Sequence, residues 1–281
     1  MTDVALATSV PPGLKRPGPG GEDAGPAWRA ACMASWMQPG WRVLSVNPAE
    51  DLALLGDLPV ETLAAEPGVA EAYGRPGTWI SDALARAVAT GAPVVGLVNA
   101  DIRLDLRPAQ RAALIARARE GIVACNRMDL GHAAQAEGPF YRYGYDLVLM
   151  PREAAARLDM RGFAFGVPWW DYWILLDALM QGLPVAVLRC AGVQHLAHRH
   201  AWQGAGWMRA LTTMMERIAP RRDALAALRL GPVGEAIAGL LAAVAASPDE
   251  GYPLQDLAER AGTRFGVEIV RLAERNAWTL E

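Results

Sequence analysis

Four short stretches of this 281-residue chain carry side chains able to do chemistry. The first is "VVGLVNADIRL" (94–104), an uncharged apolar run that ends abruptly in Asn99 and Asp101. Such a run fits a strand in the middle of a parallel sheet, and in open α/β sheets ligands bind in the crevice outside the carboxyl ends of the strands. A polar pair there is a candidate site; the alternative is an Asx-type turn in which both side chains serve their own backbone. The second is "PWWDYW" (168–173), where Asp171 falls at the start of a helix. The helix dipole there stabilises a charged carboxylate and favours an accepting role. Trp169, Trp170 and Trp173 offer flat apolar faces to a ring or a base; equally, Asp171 can cap its helix and the tryptophans can be core. The third is "HLAHRH", just past an apolar strand, which holds His195, His198 and His200, three of the four histidines. Adding Cys190 gives four zinc-type ligands, but their spacing matches none of the common structural zinc patterns, and solvated loop histidines are the ordinary alternative. Arg127 and Asp129 in "CNRMDL" follow another strand end, where they line the same cleft or pair with each other.

The elements that must position these residues alternate along the chain. "VALATSV" (4–10) reads as a strand that Pro11 and Pro12 end, since proline cannot donate to a ladder. A Gly/Pro-dense loop, "PPGLKRPGPGGEDAGP", leads to a helix over 27–37, a strand over 41–47 and the helical "PAEDLALLGDL". An amphipathic helix (78–90) delivers the chain into the "VVGLV" strand, and a helix (107–120) and a buried strand (121–128) follow. Repeated βα units of this kind require a mostly parallel sheet with helices on both faces. Strands over 144–150 and "LPVAVLRC" enclose the helix that "PWWDYW" opens. Beyond Gly204 the pattern is helical to the end, with breaks near Pro220, Gly231 and "SPDEGYP". The expected organisation is an α/β domain over 1–204 and a helical extension over 205–281 packed on it.

Composition narrows the class of function. With 52% hydrophobic residues the chain can bury a sizeable core, and a formal net charge of −3 with no basic run gives no footprint for nucleic acid. Only Lys15 among the 27 basic residues is a lysine, from which no function follows. Cys32, Cys125 and Cys190 lie far apart and are odd in number, which fits a reducing cytoplasm better than a disulfide framework. The N-terminus lacks the basic region and apolar stretch of an export signal, and the longest apolar helix (233–247) contains Glu235 and falls short of the ~20 residues a span needs. A cytoplasmic protein without a transmembrane segment is expected.

The order of the pieces resembles the GT-A class of glycosyltransferases, of the nucleotide-diphospho-sugar transferase superfamily, and in particular bacterial glycosyltransferase-like proteins. Four elements carry the likeness in order: "ASW" (34–36), "NADI" (99–102), "YDLVLMPRE" (145–153) and "FGVPWWDYW" (165–173), within a match spanning about residues 4 to 202. The resemblance implies a GT-A, Rossmann-like fold and transfer of a sugar from a nucleotide-diphosphate donor to an acceptor hydroxyl. It implies a divalent cation, Mn2+ or Mg2+, at Asp101, because a diphosphate needs a counter-charge and hard cations favour oxygen ligands. The family places an Asp at the position of Asn99; the amide can still bond a ribose or ligate through its carbonyl, but it removes one negative charge. Asp171 is implied as the base that deprotonates the acceptor. A histidine among His195, His198 and His200 is implied as a further metal or diphosphate ligand. Ser81 and Asp82, on the helix before "NADI", would face the donor, though a surface helix carries polar residues in any case; Arg127 would face the donor too, and Asp146, which can equally cap its strand end, would face the acceptor with Trp169, Trp170 and Trp173. Two other readings stand beside this one: a nucleotidyltransferase acting on a sugar phosphate, for which "PPGLKRPGPGG" is a loose match, and a non-catalytic binding protein of the same fold, which the Asn99 replacement motivates.

Overall fold

A computed structural model of the chain describes residues 2–198, 204–246 and 251–279. Strands β1 (Val4–Thr8), β2 (Trp41–Asn47), β3 (Glu61–Ala64) and β4 (Val94–Val98) lie parallel in the order β3-β2-β1-β4. Helices α1 (Gly25–Trp36), α2 (Ala49–Leu55), α3 (Val69–Tyr73) and α4 (Ile80–Ala89) connect them. β1 and β4 are buried at every position, which explains why their sequences, apart from Thr8 at the end of β1, are apolar throughout instead of alternating. Along β1 the side chains still divide by the strand's period of two. Val4 and Leu6 join Trp28 and Trp36 in one core layer, while Ala5 and Ala7 join Ile80 and Ala83 in the layer on the other side.

After β4 come β5 (Ile102–Leu104), α5 (Pro108–Glu120), β6 (Ile122–Leu130), β7 (Phe140–Pro151), α6 (Arg152–Ala155), α7 (Trp170–Met180) and β8 (Val185–Leu196). They extend the sheet as β4-β7-β6-β8-β5, with β7 antiparallel to both neighbours, β6 parallel to β8, and β5 antiparallel to β8. The expected mixed, mostly parallel sheet flanked by helices is therefore present. At its middle Gly96 lets β4 approach β7 closely: a Cβ there would lie 2.2 Å from Leu149 Cδ2 and 2.9 Å from the Val148 carbonyl oxygen.

Helices α8 (Gly204–Ile218), α9 (Arg222–Ala227), α10 (Gly231–Ala246) and α11 (Gly251–Ala273) follow, and Phe265, Ile269 and Val270 of α11 share a core layer with Trp173 and Leu176 of α7. The chain does not stay helical to its end, as its composition suggested. β9 (Ala277–Thr279) pairs with Val187–Arg189 of β8, along the stretch of that strand that β5 leaves uncovered, and Asn276 Nδ2 donates to the Val185 carbonyl at 3.2 Å. Among the described residues, no helix is long and apolar enough to cross a membrane.

Candidate functional site

The stretch over 94–104 is a strand, a tight turn and a second strand. β4 ends at Val98, Asn99 and Asp101 form the turn with Ile102 N–H donating to the Asn99 carbonyl at 3.1 Å, and β5 begins at Ile102. Helix α1 holds this turn from one side. Trp28 Nε1 donates to the Asp101 carbonyl at 2.8 Å, Trp36 Nε1 to the Ile102 carbonyl at 2.9 Å, and Leu104 N–H to Ser35 Oγ at 2.9 Å. The "ASW" element thus satisfies backbone groups that would otherwise be orphaned, and fixes the height at which Asp101 projects.

One oxygen of Asp101 is the focus of the site. Its Oδ2 lies 2.5 Å from Arg16 Nη2, 3.3 Å from His195 Nε2 and 3.4 Å from His198 Nε2. Burial alone would raise the carboxyl pKa, but hydrogen bonds to the two imidazoles and the nearby Arg16 charge hold it well below the usual carboxylate range. His195 comes from β8, which is longer than its apolar core suggests. Instead of lying in a loop, "VQHL" continues the strand because β5 and the end of β6 both pair with it, and His195 sits opposite Ile102 on one side and Asp129 on the other. Its Nδ1 meets Asp129 Oδ1 at 2.8 Å. Burial disfavours the imidazolium, yet the two carboxylates outweigh it and raise the His195 pKa.

From Asp129 the polar chain continues across the sheet. Arg127 on β6 bridges Asp129, with Nε 2.9 Å from Oδ1, and Asp146 on β7, with Nη1 2.9 Å from Oδ2. Its guanidinium also covers the Tyr141 ring, 4.5 Å from the centroid. A register shift in β6 between Asn126 and Met128 accompanies this placement, as bulges commonly do where a side chain is re-aimed. Asp146 accepts a hydrogen bond from Asn99 Nδ2 on its other oxygen. This contact gives Asn99 a physical reason: a carboxylate at that position would face the buried Asp146 carboxylate, whereas the amide supplies a donor.

Asp171 stands in the first turn of α7, and the Tyr145 backbone N–H donates to its Oδ2 at 3.3 Å. The sequence suggested that the helix terminus would favour its charged form. In the structure burial, together with the Asp146 charge, outweighs the backbone hydrogen bonds and raises its pKa to about 7, even though part of its surface remains open to the cavity. The cavity holds about 700 Å³ and is lined by Asp101, His195 and His198, by Asp171, and by an aromatic group that includes Trp169 and Trp207. Trp169 adopts φ 81°, a left-handed conformation rare outside glycine, and its buried Nε1 has no partner among the described residues. Its ring packs on Trp207 with centroids 5.0 Å apart.

The sequence-derived candidates divide into groups. Asn99, Asp101, Arg127, Asp146, Trp169, Trp170, Asp171, His195 and His198 all border this one cavity. Trp173 does not; it is fully buried, stacks on Phe163 at 5.6 Å and donates from Nε1 to the Asp159 carbonyl. Asp82 is turned to structural use, accepting the Glu66 N–H at 2.8 Å and pairing with Arg86, and Ser81 is likewise absent from the cavity wall. His200 lies outside the described residues. Cys190 is buried as a free thiol, and the histidines that cluster do so with Asp101, not with it. Sequence reasoning missed Arg16, Tyr141 and Trp207. For Arg16 a signal existed: a cation in the Gly/Pro loop after the first strand of a βα unit is placed to reach the crevice.

No family model matches the chain, and no curated protein matches it in sequence. Among solved structures it is similar to the mannosyltransferase PcManGT from Pyrobaculum calidifontis in complex with GDP-Man and Mn2+, at 14% identity and a TM-score of 0.47, covering 96% of this chain and 86% of that one. It is also similar to a protein described as a nucleotide-diphospho-sugar transferase from Desulfovibrio desulfuricans G20, at 16% identity and a TM-score of 0.41, covering 67% of this chain and 80% of that one. Both scores fall below 0.5, so the functional reading rests on the site itself.

Proposed function

We propose that the chain is a glycosyltransferase of GT-A type that moves a sugar from a nucleotide-diphosphate donor to an acceptor hydroxyl. The observation that carries this reading is one cavity bordered both by a convergent carboxylate–imidazole set and by a carboxyl whose pKa is set near 7. The ligand atoms of Asp101, His195 and His198 all lie within 4.8 Å of one another. A carboxylate suits Mg2+ and Mn2+ alike, and two imidazoles shift the preference toward Mn2+. These three residues would hold the ion, which when bound supplies positive charge to the departing diphosphate. Asp129 would then have the part that carboxylates have behind metal-bound histidines: accepting from His195 Nδ1–H, it would leave the Nε2 lone pair available to an ion.

The chain's own residues account for the remaining chemistry. Asp171, as the carboxylate, takes the proton of the acceptor hydroxyl; the hydroxyl oxygen bonds to the anomeric carbon, and the bond to the diphosphate breaks with its electron pair leaving on the nucleotide. A single displacement of this kind inverts the anomeric centre. A base with a pKa near the working pH combines a large deprotonated fraction with useful basicity. Trp169 and Trp207 provide the apolar walls against which a sugar ring lies. The test is a panel of nucleotide sugars with Mn2+ and hydroxyl acceptors, read as nucleoside diphosphate released. The wild type releases it with one donor, and Asp171→Asn binds that donor equally well but releases little; equal release by both proteins removes Asp171 from the reaction.

A further inference from the structure

Arg16 has no part in the scheme above, yet it makes the shortest contact to the oxygen on which that scheme turns. Its side chain is 7% exposed, and its three nitrogens are unequally served. Nη2 binds Asp101 Oδ2 at 2.5 Å, Nη1 donates to the Lys15 carbonyl at 2.8 Å, and Nε is buried with no partner among the described residues. A guanidinium built permanently into a core has its donors matched, because an unmet buried donor is costly. Its backbone is held in place by the loop itself. Arg16 N–H donates to Asp23 Oδ1 at 2.9 Å, the Ala24 N–H donates to the Arg16 carbonyl at 2.9 Å, and Asp23 also accepts from Gly25 N–H. None of these contacts that hold the loop uses the Arg16 side chain.

Asp101 Oδ2 with Arg16, His195 and His198 around it is a carboxylate oxygen facing three nitrogens, one of them permanently cationic. An imidazole nitrogen can serve as a metal ligand, but a guanidinium can only donate. We infer that Arg16 is a displaceable internal counter-cation, which occupies the Asp101 carboxylate in the ligand-free protein and must withdraw before a divalent cation can take that oxygen. This inference rests on the metal-site reading of Asp101, His195 and His198. In it the protein stays balanced in charge without an ion, and its metal affinity is lowered by the fraction of molecules in which Arg16 still holds the seat.

The experiment is a titration of Mn2+ alone into the metal-free full-length protein, with free Mn2+ read from its electron paramagnetic resonance signal. It compares wild type, Arg16→Ala, Arg16→Gln, Arg16→Lys and Asp101→Ala, with circular dichroism confirming the fold of each. The neutral variants should bind Mn2+ about tenfold more tightly than wild type, the fold-change expected if Arg16 leaves the seat open in about a tenth of molecules. Arg16→Lys, which keeps a cation but not the planar fork, should fall between them, and Asp101→Ala should lose the site. Should Arg16→Ala not fold, Arg16→Gln carries the comparison. Neutral variants that bind no more tightly than wild type, with binding still lost in Asp101→Ala, overturn the role of Arg16 and leave the metal site standing. Binding absent from every protein overturns the metal site and the Arg16 inference with it.

Discussion

Replacing Asp171 by Asn should stabilise the protein at alkaline pH while disabling it. An aspartate in the unfolded chain titrates near its ordinary 3.8, whereas in the fold Asp171 titrates near 7, chiefly because it is buried and secondly because Asp146 is beside it. Well below pH 3.8 both states carry the proton and Asp171 costs nothing. As pH rises toward 7 the unfolded state has given up its proton while the folded state retains it, so stability falls; above 7 the penalty is complete. At about 1.4 kcal/mol for each tenfold change in proton affinity, a rise from 3.8 to about 7 amounts to about 4 kcal/mol, and solvent entering through the cavity reduces this to about 2 kcal/mol. The amide that replaces the carboxyl carries no charge at any pH and can still accept the Tyr145 N–H. Urea unfolding of both proteins at pH 3 and pH 8 measures the effect: near-equal stability at pH 3 and an advantage of about 2 kcal/mol for Asp171→Asn at pH 8. An advantage of the same size at both pH values would show that packing of the amide, not ionisation, is responsible, and no advantage at pH 8 would refute the raised pKa.

Three further outcomes follow from the same contacts. Asp129→Asn removes the carboxylate behind His195 Nδ1, and Mn2+ affinity should drop about tenfold or more in a calorimetric titration although Asp101, His195 and His198 are unchanged. Trp36→Phe leaves the Ile102 carbonyl without its indole donor and should cost about 1–3 kcal/mol in urea unfolding. Gly96→Ala drives a methyl into Leu149 and the Val148 carbonyl, so a loss of about 1–3 kcal/mol or more is expected, seen as a lower melting temperature.

The sequence disclosed most where residues serve a regular period. The apolar runs 4–7 of β1 and Val94–Val98 of β4 announced a buried parallel sheet, and the polar pair at the end of β4 marked the crevice where Asp101 sits. Short pairings with little pattern of their own were not legible. β3, β5 and β9 have 4, 3 and 3 residues, and each is a strand only because a longer neighbour offers it hydrogen bonds. The same holds for the site. Asp101 and His195 carry side chains whose chemistry is visible from type alone, but their meeting depends on β5 pairing antiparallel to β8. Arg16 reaches Asp101 across 85 positions of sequence, through a Gly/Pro loop with no period to read. The Asp171 pKa was anticipated in the opposite direction, because a helix terminus is visible in sequence while burial and the proximity of Asp146 are not.

The most direct measurement is thermal unfolding of the wild type and of Asp101→Ala with a panel of nucleoside diphosphates and nucleotide sugars, each with and without Mn2+. A ligand that binds only the folded state raises the melting temperature by mass action. The account predicts a rise with one base, larger when Mn2+ is present, with the Mn2+-dependent part abolished by Asp101→Ala. A wild type that no nucleotide stabilises, or an Mn2+-dependent rise that survives in Asp101→Ala, would contradict it.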